Sequence, residues 1–65
     1  MTEYRYFRER VDQDPLEYRV GLRPGDKVEL RTLAGEWVPS GFEDVDHMLD
    51  ETQHWPFKIE EVESL

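Results

Sequence analysis

The side chains best spaced for chemistry are His47, Asp50 and His54, which fall at i, i+3 and i+7. On an unbroken helix these positions share one face, and two imidazoles with a carboxylate could hold zinc. That face exists only if the helix runs past Thr52. Trp55-Pro56 follows at once, and proline forces the residue before it into an extended conformation. A helix that unwinds before Trp55 is therefore expected, with no metal and no cofactor. Other reactive groups are scarcer still. The chain has no cysteine, which excludes disulfides, thiolate metal sites and thiol nucleophiles. Ser40 reads as a helix cap and Ser64 is the penultimate residue, so neither serine has a base poised beside it. Gly21, Gly25, Gly35 and Gly41 sit singly in turns, whereas a phosphate cradle needs glycines clustered before a helix. No enzyme is expected.

Charge is the stronger signal. The formal net charge is -8, and it is unevenly placed. Residues 1–35 carry seven acids and seven bases, whereas residues 36–65 carry nine acids against Lys58 alone. Within the second half, Glu43, Asp44, Asp46, Asp50 and Glu51 surround His47 with no Lys or Arg between them. Such a surface repels nucleic acid and anionic membranes and attracts basic partners. Like charges at i, i+4, such as Asp46 and Asp50, cost helix stability, and Asp50 and Glu51 also oppose the helix dipole at its C-terminal end.

These carboxylates need a helix, and the helix needs a sheet to lie on. The organising stretch is Val28 to Glu51. Val28 to Thr32 reads as a strand, Leu33-Ala34-Gly35 as a turn and Glu36 to Pro39 as the returning strand, which Pro39 ends because it has no N–H for the ladder. Ser40 with Glu43 fits a capping box, and Phe42, Val45, Met48, Leu49 and Thr52 keep helical spacing, so the helix is predicted over Phe42–Thr52. Before this unit, Tyr4 to Arg8 reads as a strand with Tyr4 and Tyr6 on one face and Arg5 and Phe7 on the other. Asp12-Gln13-Asp14-Pro15 is a turn. Leu16, Tyr18, Val20 and Leu22 then alternate with Glu17, Arg19 and Gly21 as a half-buried strand. Arg23-Pro24-Gly25-Asp26 fits a type II turn. After the helix, Phe57 to Ile59 is expected to return as a short strand and Glu60 to Glu63 to form a last helical turn.

The turn at Leu33-Ala34-Gly35 leaves Trp37 with two settings. A two-residue loop would need Ala34 at positive φ, pair Thr32 with Trp37 and turn the indole inward. A three-residue loop with Gly35 left-handed pairs Leu30 with Val38 and turns Trp37 outward beside Arg31. A one-residue slip exchanges the faces. Backbone sterics favour the second, and the size of a tryptophan favours the first.

Tyr4-Arg5-Tyr6-Phe7-Arg8, Glu17-Tyr18-Arg19-Val20, Gly35-Glu36-Trp37-Val38-Pro39 and Ile59-Glu60-Glu61-Val62 together resemble small uncharacterised proteins of actinobacteria and their phages. The resemblance brings no activity, ligand or catalytic residue with it.

The expected architecture is one α+β domain over residues 1–65: a small antiparallel meander of four or five short strands with one amphipathic helix on one face. Phe42, Val45, Met48 and Leu49 should pack on Leu16, Tyr18, Val20, Val28 and Leu30. With no apolar run long enough for a signal peptide or a membrane span, and a mean hydropathy of -0.85, a cytoplasmic chain is expected. The expected role is a non-enzymatic interaction or regulatory protein. It would present Glu43, Asp44, Asp46, His47, Asp50 and Glu51, with Trp37 and Arg31, to a basic partner protein. The alternative is a nucleic-acid mimic that inhibits a DNA- or RNA-binding protein. Direct nucleic-acid binding is not expected despite the Tyr-Arg-Tyr-Phe-Arg interleaving, because the arginines are matched by acids. Self-association is compatible with so small a core.

Overall fold

The alternating segments close into one antiparallel sheet in the computed structural model, which describes residues 3–65. Strands β1 (Tyr4–Glu9), β2 (Glu17–Gly21), β3 (Val28–Arg31) and β4 (Trp37–Pro39) follow one another as a meander, and β5 (Ile59–Val62) adds beside β1. The spatial order is β4-β3-β2-β1-β5, with every neighbouring pair antiparallel. Since β4 and β5 occupy opposite edges, the chain joining them must cross the sheet. The helix α1 (Val45–Thr52) is carried in that crossing. The fold is α+β, as the sequence predicts.

Register aligns the inward residues into two rows. Phe7, Tyr18, Leu30 and Val38 stand opposite one another across four strands, and Arg5, Val20 and Val28 form the next row. Met48 of α1 comes down on this surface. Phe7, Tyr18, Val20, Val28 and Met48 are the buried core, with Leu30, Phe42, Val45 and Ile59 packed around them. A single layer of side chains between one sheet and one helix is all that a chain of this size can build.

The hairpin between β3 and β4 takes the three-residue loop. Gly35 sits at φ +88°, its N–H donates to the Thr32 carbonyl (2.9 Å), and Leu30 faces Val38 while Arg31 faces Trp37. The left-handed position falls on the one loop residue without a Cβ, so the strain that Ala34 would have suffered is avoided. Trp37 therefore stands on the face opposite the helix. The backbone argument outweighs the size argument because the indole finds cover there, as described below.

Three expectations about the second half need correction. The helix starts at Val45, not Phe42, and Ser40 is not its cap. The Ser40 hydroxyl donates to the Val28 carbonyl (2.7 Å) and accepts from Phe42 N–H (3.2 Å), while Val28 N–H donates to the Phe42 carbonyl (3.2 Å). These bonds tie residues 40–42 to β3, and Gly41 at φ +92° makes the bend that permits them. Backbone already committed to the sheet cannot also enter a helix. Leu49 does not join the core: it is 43% exposed, whereas Met48 is fully buried. The helix docks through Val45, Met48 and Thr52, and Leu49, about 100° round from Met48, falls at the edge of that face. Leu16, 37% exposed, is likewise at the rim. Finally, Glu60 to Val62 belongs to β5 rather than to a helical turn, because β1 offers it a free edge: Phe7 pairs with Glu61 and Glu9 with Ile59.

Candidate interaction surfaces

The residues singled out by the sequence lie on two opposite faces. The acidic group is on and around α1, on one side of the sheet. Trp37 and Arg31 point from the other side, so the structure does not bring them together with the carboxylates.

The acidic face is partly used by its own helix. Asp44 is the N-cap: its backbone is extended (φ -155°) and its Oδ1 accepts the His47 N–H at 2.7 Å. His47 answers through Nδ1, which accepts the Glu43 N–H at 3.1 Å. The imidazole also meets Phe42 edge-on, with ring centroids 5.6 Å apart, and its Nε2 lies 3.7 Å from Glu51 Oε1. A cap like that expected of Ser40 and Glu43 is thus supplied four residues along by Asp44 and His47, with the Glu43 N–H, one residue before the N-cap, as the second donor. Replacing Asp44 with alanine is expected to cost about 1 kcal/mol and weaken the far-ultraviolet helical signal. Ser40→Ala should leave that signal intact while shifting the amide resonances of Val28 and Phe42.

The remaining acids of this group are Glu43, Asp46, Asp50 and Glu51, all exposed. Glu43 reaches Lys27 Nζ at 3.9 Å, an exposed pair of small energetic weight. Asp50 accepts from the Gln53 side chain at 3.2 Å. Asp46 adds to the field that keeps Arg5 protonated. The larger cause is Glu61, whose carboxylate takes both Nε (3.0 Å) and Nη2 (2.9 Å) of that guanidinium and is itself held below the usual carboxylate range by it. No basic residue stands in the last turn of α1. The helix ends at Thr52, whose hydroxyl is buried and donates to the Met48 carbonyl (2.8 Å), and Gln53 caps it. His54 therefore lies beyond the helix, out of line with His47 and Asp50. Among the described residues no three His, Asp or Glu side chains gather as a metal site.

The second face is the uncovered side of the sheet. Register places Trp37, Arg31, Glu17, Arg8 and Glu60 in one row across all five strands, and Pro39, Glu29, Arg19, Tyr6 and Val62 in the next. Arg19 is its centre. Its guanidinium lies over the Tyr4 ring at 4.1 Å and over the Trp37 ring at 4.5 Å, while Nε donates to Glu29 Oε1 at 2.8 Å. Tyr6 touches both rings, with centroids 6.1 Å from Tyr4 and 6.4 Å from Trp37. Arg31 adds a second cation 5.7 Å from the indole and pairs with Glu17 at 3.6 Å. The side chain of Arg19 is only 22% exposed although, among the described residues, no other element covers this face. Each aromatic–guanidinium contact stabilises by about 0.5–2 kcal/mol, more as it dries.

Sequence reading found Trp37 and Arg31 here but missed Arg19, Glu17 and Glu29 as their companions. The alternation in each strand was visible. What was not visible was the pairing that lays Tyr6, Arg19 and Glu29 side by side. Compared with models of protein families, with curated proteins and with solved structures, the chain matches none.

Among the described residues no helix is long and apolar enough to cross a membrane.

Proposed function

We propose that this chain is a non-enzymatic interaction protein that offers the exposed carboxylates of α1, above all Asp46 and Asp50, to a basic partner protein. The observation that supports it is how the charges pair. Arg5, Arg8, Arg10, Arg19, Lys27 and Arg31 each lie 2.8–3.9 Å from a glutamate, and four of those six bridges start from strand residues. Among the described residues neither Asp46 nor Asp50 comes within 4 Å of an Arg or Lys nitrogen, although Asp46 contributes to the field at Arg5. They stand one turn apart at i, i+4, where like charges repel, and Asp50 also opposes the helix dipole in the last turn. A basic surface docked there would relieve that repulsion. A reducing, cytoplasmic setting belongs to the proposal, which a chain without cysteine suits.

The test is Asp46→Asn with Asp50→Asn. The double variant should melt at the same temperature as the native protein or slightly higher, while association with the basic partner slows several-fold at low salt and the difference shrinks at high salt. Bait experiments with both proteins identify the partner, and titration at two ionic strengths reads the rates. Displacement of the complex by duplex DNA would favour the nucleic-acid-mimic reading over ordinary docking. Equal affinity of native and variant proteins at low salt would overturn the proposal.

A further inference from the structure

The uncovered sheet face is a checkerboard. Along the row nearest the β3–β4 turn the signs run Arg31 plus, Glu17 minus, Arg8 plus, Glu60 minus, and in the next row Glu29 is minus and Arg19 plus. Signs therefore alternate both across the strands and along each central strand. Such a pattern becomes its own complement when displaced by one position. A two-fold axis lying across the strands, midway between the two rows, makes that displacement: each strand falls over its own copy running the other way.

We propose that this face is the contact between two copies of this chain, stacked sheet to sheet about that axis. Arg31 then lies over the partner's Glu29 and Glu17 over the partner's Arg19. Trp37 lies over the partner's Pro39, and Arg8 over the partner's Tyr6. Because the operation is two-fold, each pair occurs twice. Sheets packed face to face keep their strands within about 30° of alignment, so the register holds best at the central strands β2 and β3, where the complementary charges are.

Two further observations select a second copy as the occupant. Three arginines and three glutamates make the two rows neutral, in a chain whose formal net charge is -8. Two such anions approach with least repulsion through a neutral face, and a strongly basic or acidic partner has no net charge here to grip. The half-buried rings of Tyr4, Tyr6 and Trp37 supply apolar surface that the single-layer core leaves on the wrong side of the sheet. Size sets the strength. Strand spacing and rise give a face of about 24 by 17 Å, or about 400 Å² per copy. That is roughly half the area of a standard stable interface, so the dimer is weak and depends on concentration. The inference is independent of the acidic-helix proposal: α1 lies on the far side of each sheet, and the dimer carries two acidic helices facing outward.

Sedimentation equilibrium of the native protein, from about 10 µM to about 1 mM, reads the association directly. The mass should rise from 7.8 kDa toward twice that value. Over the same range, concentration-dependent amide shifts should fall on Glu17, Arg19, Glu29, Arg31 and Trp37 and spare α1. A constant monomer mass at the upper limit overturns the proposal. So does association whose shifts map to α1. A charge exchange checks the register. Glu17→Arg with Glu29→Arg makes the four charges of β2 and β3 all positive, and Arg19→Glu with Arg31→Glu makes them all negative. Each alone should stay monomeric, and an equimolar mixture should associate more tightly than the native protein. A mixture of folded variants that stays monomeric overturns the pairing; if either variant fails to fold, the native mass and shift map decide.

Discussion

Met48→Ala is expected to lower stability by about 2–5 kcal/mol, enough to unfold a domain whose total stability is about 3–5 kcal/mol. Met48 is the only apolar residue of α1 with no exposed surface, and it closes the core formed by Phe7, Tyr18, Val20 and Val28. Truncation there removes transfer energy and leaves a cavity that a sheet cannot collapse to fill, since its residues are fixed by the ladder. Leu49→Ala, one position on, should cost about 1 kcal/mol or less, because its side chain already meets water. Urea denaturation followed by circular dichroism of the two variants side by side checks the docking of the helix. A larger loss from Leu49 than from Met48 would mean that α1 sits on the sheet by a different face.

Alkaline pH is expected to unfold the protein through Tyr18. Burial pushes its phenol up from the ordinary 10.0 to about 12, with the Glu9 carboxylate adding a smaller push in the same direction. The folded state therefore favours the protonated ring. Below pH 10 the ring is protonated in both states and its contribution is fully present. Between pH 10 and 12 the unfolded chain gives up the proton while the native protein keeps it. Stability then falls by about 1.4 kcal/mol per pH unit, for a total loss of roughly 2–3 kcal/mol. Tyr18→Phe removes the ionising group while keeping the ring in place, so its stability should stay nearly level across that window. Denaturation midpoints at a series of pH values from about 9 to 12 test this. An equally steep decline in Tyr18→Phe would assign the alkaline loss to other groups.

The sequence by itself determined what short-range physics can decide. Strict alternation over Leu16 to Leu22 could only be a half-buried strand, and Pro24-Gly25 could only be a turn, which closes with Asp26 N–H on the Arg23 carbonyl at 3.1 Å. The meander, the helix after Pro39 and the concentration of negative charge on that helix were all legible, because periodicity and net charge need no partner to be read. The boundaries were less so. Ser40-Gly41-Phe42-Glu43 has the pattern of a cap, but a serine hydroxyl serves equally well a carbonyl offered by a neighbouring strand, and Val28 offers one. Glu60-Glu61-Val62 favours no strand on its own; the unpaired edge of β1 made it one, with Glu61 gaining Arg5 and Glu60 lying 3.9 Å from Arg8.

What only the tertiary structure decided was which residues became neighbours. Trp37 was balanced between two registers, and the choice followed once Gly35 took the left-handed position and Arg19 supplied the indole with cover. Met48 reached the core and Leu49 did not because α1 docks with Met48 and Thr52 on the sheet, and Leu49 lies about 100° round from Met48. The checkerboard lies outside local reading altogether. Its six charges come from four strands, and they alternate in sign only after strand pairing has fixed each register. A one-residue slip in any pair would have turned a whole strand over, so the pattern exists in the sheet and in no single segment of the chain.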